Sequence, residues 1–201
     1  FKGIRLDDNQ LDIQKTIQET IKPNYKAALL LSSVKTNSVA IAIAREVARE
    51  NSKLPSTQKI QLFGSLALAE EATLIKAGSA VEGMIFVNPC LAEKSDYIKK
   101  AAKRWQKIND WRITTSYDAT QAFIGAILLS EEPKREEILK RLKTLTLPVN
   151  ETSGFGLKWS TSDQSNANRK YCLFEIRKNK KSSLDYKFVP LGNAEQETVK
   201  K

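Results

Sequence analysis

Apolar residues recur along the chain with two different periods, and each switch between them predicts a new element. Ile4-Arg5-Leu6 is a short strand pattern running into Asp7-Asp8-Asn9, where Asp8 or Asn9 can cap a helix. Ile13, Ile17 and Ile21 then recur four residues apart, one apolar face of a helix that ends before Pro23. Ala27 to Leu31 is a continuous apolar run, the pattern of a parallel strand covered on both faces, and it stops at Ser32-Ser33. Thr36, Asn37 or Ser38 caps the next helix, whose buried stripe is Val39, Ile43 and Val47 with Ala40 and Ala44. A polar loop from Glu50 to Lys59 leads to a strand at Ile60–Phe63, ended by Gly64-Ser65. A short helix over Glu70–Ala77 stops at Gly78, and Gly83–Val87 is a strand closed by Asn88-Pro89. Strands alternating with helices in this way predict an α/β fold with a parallel sheet and right-handed crossovers.

Beyond Pro89 the alternation ceases. Asp96 to Ile108 reads as a helix carrying Tyr97, Ala101 and Trp105, and Pro133 opens another that runs through Ile138, Leu139 and Leu142. Between them lies the most apolar stretch of the chain. Thr115 or Ser116 can cap a helix there, with Asp118 on its first turn where the dipole favours negative charge. Ala119 to Leu129 is apolar on all sides, which predicts a helix buried on all sides, between a sheet and other helices. The closing portion has strand patterns at Leu157–Trp159, Tyr171–Ile176 and Tyr186–Val189, with a polar stretch from Ser160 to Asn168 and a disordered end from Gly192 to Lys201.

Composition narrows the function more than the fold. With 201 residues the chain makes one domain or two small ones, and 41% hydrophobic residues suffice for a core. No apolar run reaches the length of a membrane span. Phe1-Lys2-Gly3 reads as the interior of a longer chain rather than a start. The net charge of +10 raises the question of nucleic acid. Its lysines and arginines are spread along helices beside glutamates (Lys134-Arg135-Glu136-Glu137), and the densest run, Arg177 to Ser183, sits between two strands as a loop. Solvated faces explain this distribution better than a polyanion site, so no nucleic-acid partner is expected. The absence of histidine removes histidine-based acid–base catalysis and metal ligation. There is no Gly-x-Ser-x-Gly motif, no cysteine beside a base and no metal cluster, so neither an enzyme nor a cofactor is expected. Cys90 and Cys172 permit one disulfide in an oxidising compartment.

In open α/β sheets ligands sit beyond the carboxyl ends of the strands. Three such ends are visible: Ser32-Ser33, Ser65-Leu66 and Asn88. Hydroxyls and helix-start N–H groups suit a carboxylate or another polar ligand; the same serines also serve as ordinary turn and cap residues.

The segment Trp111-Arg112-Ile113-Thr114-Thr115-Ser116-Tyr117-Asp118-Ala119-Thr120-Gln121-Ala122 resembles part of the type I periplasmic binding proteins, in the branched-chain amino acid branch. Val81 to Pro89 is similar to that family's strand leading into an interlobe crossover, Leu62-Phe63-Gly64-Ser65 to a strand end facing the ligand cleft, and Gly154-Phe155-Gly156-Leu157-Lys158-Trp159 to a late turn and strand. The resemblance runs collinearly from Phe1 to about Val189. It implies a second lobe made of residues 1–88 and 169–191, a helical portion of the first lobe at 89–168, and a tail at 192–201. The first lobe's sheet and the opening strand and helix of the second lobe would lie outside this sequence. Cys90 and Cys172 would both stand near hinge crossovers, and a disulfide there is an expectation. The function implied is periplasmic or extracytoplasmic binding of a small polar, amino-acid-like solute between two hinged lobes, for an ABC transporter permease. The alternatives are a ligand-sensing module fused to a signalling protein, or an interaction domain that has lost its ligand. The ligand-binding residues implied are Ser32, Ser33, Ser65, Leu66 and Arg112. In amino-acid-binding members the position of Ser33 is commonly tyrosine, that of Leu66 a glutamate pairing with the ligand ammonium, and that of Arg112 often aromatic. Leu66 cannot make a charge-assisted bond, and Arg112 favours an anion.

Overall fold

The computed structural model describes residues 12–20, 25–92, 95–105, 111–159, 168–179 and 185–191. The expected strand at Ile4–Leu6, the caps Asp8 and Asn9, most of the polar stretch Ser160–Asn168 and the tail 192–201 lie outside these residues. By internal packing the chain divides into two compact units, Phe1–Asn88 with Cys172–Lys201, and Pro89–Tyr171.

The first unit is built on a five-stranded sheet in the order β1-β2-β3-β6-β7, with β1 at Ala27–Leu30, β2 at Gln61–Gly64, β3 at Ile85–Pro89, β6 at Tyr171–Lys178 and β7 at Tyr186–Pro190. β1 and β2 are parallel with Leu30 opposite Gly64, and β2 and β3 are parallel with Gly64 opposite Phe86. β6 runs against β3: the Gly83 N–H donates to the Ile176 carbonyl (2.8 Å) and the Ile176 N–H to the Met84 carbonyl (3.0 Å). β6 and β7 are antiparallel. Parallel strands need crossovers, and α1 (Ile13–Thr20), α2 (Asn37–Asn51) and α3 (Glu71–Ala77) surround them in the chain. The core is Ile17 from α1, Ala40, Ile43, Ala44 and Val47 from α2, Leu74 from α3, and Leu30, Leu62, Phe86 and Ile176 from the sheet.

Local chemistry sets the boundaries. α1 starts where Asp12 Oδ1 accepts the Lys15 N–H (2.9 Å). α3 ends at Gly78, which takes φ +56°, a conformation costly for any residue with a Cβ. Gly64 has a different reason: a Cβ there would stand 2.2 Å from a Phe86 ring carbon. The expectation that β1 is covered on both faces is corrected: Leu30 is buried, but Leu29 is 58% exposed. β1 is the end strand of the described sheet, so one face and one edge meet no described neighbour.

The second unit is helical, with α4 (Asp96–Trp105), α5 (Trp111–Leu128) and α6 (Arg135–Thr144) following one another with no intervening strand among the described residues. A two-stranded antiparallel ribbon, β4 (Thr146–Leu147) and β5 (Leu157–Lys158), closes it. Its small core is Ala122, Leu145, Leu147 and Leu157. Gly154 takes φ +123°, and a Cβ there would come within 2.4 Å of Ala92 Cβ.

Two expectations for α5 are corrected. Its first described helical residue is Trp111, so Asp118 lies about two turns or more inside rather than on the first turn, and Thr115 is not a cap but bonds back to the Trp111 carbonyl (2.9 Å). Nor is the helix buried all round. Ala122 and Ala126 are buried, while Phe123, Ile124, Ile127 and Leu128 are 43–79% exposed. Small residues face the unit's own core, and the large apolar ones form a stripe without a described partner. Among the described residues no helix is long and apolar enough to cross a membrane.

Candidate functional site

In the first unit the carboxyl ends of β1 and β2 and the start of α2 bring together polar residues from three segments. The chain leaving β1 reaches Ser32, whose N–H donates to Ser65 Oγ (3.2 Å) just past β2. Ser65 Oγ also lies 3.1 Å from the Ser32 carbonyl, to which it donates, and 3.2 Å from Ser32 Oγ. Ser32 Oγ donates to Asn37 Oδ1 (2.8 Å) at the start of α2. Asn37, 8% exposed, completes the cluster by donating from Nδ2 to the Ala67 carbonyl (2.8 Å) and to Glu70 Oε1 (3.0 Å). One amide thus locks the β1 and β2 loops to each other.

Asn88 stands two residues beyond the Gly64–Phe86 pair, in β3. Its Oδ1 is buried and has no hydrogen-bond partner among the described residues. A buried acceptor without a donor costs about 1–3 kcal/mol. Such an atom at the carboxyl end of a parallel strand is a place for a donor on a ligand or an ordered water.

The other expected residues fall as follows. Ser33 is exposed and closes a turn with Thr36: its N–H donates to Thr36 Oγ1 (2.8 Å) ahead of the 3-10 turn Val34–Thr36. Leu66 is half-buried at the start of the 3-10 turn Leu66–Leu68. Ser32 and Ser65 are therefore joined directly, Ser33 is turned to local capping, and Leu66 adds an apolar surface. Arg112 belongs to the second unit, in the first described turn of α5, half-buried with its guanidinium 4.8 Å from the Trp111 ring centre. Asn37 and Glu70 were not singled out in the sequence. Asn37 stood among three equivalent cap candidates, and nothing local marks it as the one whose side chain turns inward.

The second unit holds a buried charge cluster that the sequence did not reveal. Asp118 Oδ2 accepts from Arg169 Nη1 (3.0 Å) and from Ser153 Oγ (2.7 Å), while Oδ1 accepts the Ser153 N–H (2.6 Å). Arg169 Nη2 donates to Thr114 Oγ1 (3.3 Å), and the guanidinium lies 5.6 Å from the Phe155 ring centre. The two charged side chains are 7% and 8% exposed. Burial pushes the Arg169 guanidinium below its ordinary range, and the adjacent Asp118 carboxylate and then Tyr171 push it back up. The cluster clamps α5 to the Thr152–Gly154 turn and to the segment leading into β6. Its atoms face one another, so its role is positional. Among the described residues no group of three or more Cys, Asp or Glu is placed to hold a metal ion.

This succession of parallel strands, crossover helices, helical excursion and returning antiparallel strands is the fold of the type I periplasmic binding proteins. The chain matches a leucine-binding protein of Thermotoga maritima with TM-score 0.64 and 18% identity, over 92% of this chain and 49% of that one. It matches a Rhodopseudomonas palustris protein with TM-score 0.67 and 14% identity, over 92% and 53% of the two chains. A branched-chain amino acid ABC transporter protein of Thermus thermophilus, solved with bound valine, gives TM-score 0.61 and 14% identity, over 92% and 50%. The chain thus spans about half the length of these structures. No protein-family model and no curated protein matches the sequence.

Proposed function

We propose that the chain is part of a two-lobed extracytoplasmic receptor that binds a small polar solute, as the substrate-binding component of an ABC transporter. The structures sharing its fold are solute-binding and ligand-binding receptor proteins rather than enzymes. The observation that carries the reading is the buried, unpartnered Asn88 Oδ1 near the carboxyl end of β3, in the sheet whose β1 and β2 ends hold the Ser32–Ser65 pair. An acceptor needs a donor, so the solute carries an ammonium, amide or hydroxyl group. Glu70, half-buried and bonded to Asn37, is the carboxylate closest in this network to serve a cationic ligand. Ser32, Ser33, Ser65 and Leu66 are proposed to line this end of the site, and Arg112 to serve an anionic group of the ligand.

The test is a thermal-shift screen of the protein at its natural length against amino acids, amides, small carboxylates and polyamines. A ligand at 100 times its dissociation constant adds about 2.7 kcal/mol of stability. Asn88→Leu should abolish that gain while leaving the unliganded midpoint unchanged or slightly raised, because the lost oxygen has no protein donor among the described residues. A protein that ignores the whole panel, or an Asn88→Leu variant that binds as before, would refute the reading.

The stripe Phe123, Ile124, Ile127 and Leu128 supports the incomplete-receptor part of the proposal. Four large apolar side chains on one helix need a cover, and this chain spans about half its structural matches. We assign the cover to the rest of the receptor. The 201-residue chain alone should then bind an apolar-surface dye strongly and the natural-length protein weakly; equal dye binding by both would count against it.

A further inference from the structure

The second unit carries a concave patch that the solute-binding reading does not use. It lines a half-open cavity of about 230 Å³. α4 supplies Tyr97, Lys100 and Arg104, which recur at i, i+3 and i+7 on one helical face, with Trp105 the last described residue of the helix. Tyr117 of α5 and Asn150 complete the wall.

Aromatic faces and positive charge meet here in a fixed arrangement. The Tyr97 and Tyr117 rings stack with centres 4.1 Å apart and planes at 28°. Gln121 Nε2 donates to the Tyr117 hydroxyl (3.1 Å) and holds that ring in place. Trp105 is 56% exposed, and the Arg104 guanidinium sits 5.5 Å from its ring centre. Burial, then the neighbouring Tyr117 and Asp118, push the Tyr97 hydroxyl above its ordinary value, so it stays a neutral donor near neutral pH. Among the lining charges two cations, Lys100 and Arg104, face one carboxylate, Asp96, which lies 3.4 Å from Lys99 Nζ. Among the described lining residues the net charge is positive.

Size limits the occupant. Sites for drug-sized ligands run to roughly 300–1,000 Å³. A cavity of about 230 Å³ takes one ring and a small substituent, not a nucleotide.

We propose that this patch binds a single-ring aromatic carboxylate, its ring against the exposed Trp105 and tyrosine faces and its carboxylate between Lys100 and Arg104. Each half of the ligand meets the group that suits it: an aromatic face for the ring, and two charge-assisted donors for the anion. Asn150 supplies an amide at the rim.

The experiment uses the natural-length protein labelled with 5-fluorotryptophan, with the Trp105 fluorine resonance assigned through Trp105→Phe. Benzoate, cyclohexanecarboxylate and benzyl alcohol are titrated in turn. Benzoate should shift the Trp105 resonance saturably, whereas the non-aromatic acid and the neutral aromatic ring should each need several-fold higher concentrations. Arg104→Gln should raise the benzoate dissociation constant about tenfold, the scale set by losing one charge-assisted bond. Asn88→Leu should leave benzoate binding unchanged, which separates this site from the solute site. A shift that never saturates, equal responses to benzoate and cyclohexanecarboxylate, or an Arg104→Gln variant that binds benzoate as before would each overturn the proposal.

Discussion

Replacing Asp118 with leucine should lower the unfolding free energy by about 3–5 kcal/mol, as measured by urea denaturation. The reason is not the loss of an attraction as such. Asp118 and Arg169 are 8% and 7% exposed, so the substitution leaves a guanidinium in the interior with no carboxylate to compensate it. The Ser153 N–H and hydroxyl lose their acceptor at the same time. Arg169→Met should cost a similar amount by stranding the carboxylate. The double variant Asp118→Leu with Arg169→Met should recover most of the loss, because buried ion pairs are often matched by apolar pairs of similar volume. If the two single substitutions simply add, the pair is not coupled and the account of this cluster is wrong.

The second large effect concerns the cysteines. Cys90 and Cys172 are the only cysteines in the chain, and both are disulfide-bonded. They are 82 positions apart. In the loop-entropy model a cross-link closing a loop of this size removes unfolded-state freedom worth about 4.5 kcal/mol at room temperature. Cys90→Ser with Cys172→Ser, or reduction of the native protein, should therefore drop the thermal midpoint by many degrees. Mass analysis of protein isolated without reductant should find no free thiol. Two alkylatable thiols, or a double variant as stable as its parent, would contradict this. A disulfide accords with an oxidising compartment and so with the extracytoplasmic location proposed above.

The first unit was largely readable from its periods. Ile43 and Val47 in α2 and Leu62 in β2 are buried as their spacing predicts, because local pattern and tertiary burial agree there. The reading failed where burial depends on partners the pattern cannot see. Ala27 to Leu30 looks like an interior strand, yet Leu29 is exposed on the end strand of the described sheet. The apolar part of α5 looks fully buried, yet of its residues only Ala122 and Ala126 are buried. Neither apolar surface is covered by the described residues. Asp118 was misread for a related reason. A carboxylate near a run of threonine and serine resembles a helix-start signal, and its true partner, Arg169, lies 51 residues away with nothing in the sequence to link them. At the strand ends, Ser32, Ser65 and Asn88 could be named from topology alone. Whether each serine bonds a ligand, a turn or the other serine is decided by side-chain directions, which the sequence does not carry.

The antiparallel pairing of β3 with β6 recasts the second unit. The chain leaves the sheet at Pro89 and comes back at Tyr171 on the strand next door, and the Cys90 N–H already donates to the Lys170 carbonyl at 2.9 Å. Antiparallel neighbours can be joined by a turn of two residues. In topological terms the whole of residues 91–169 is an elaborated hairpin loop, inserted between two strands that would pair without it. A loop of that kind can lengthen, acquire helices of its own and specialise without disturbing the order of the sheet that carries it.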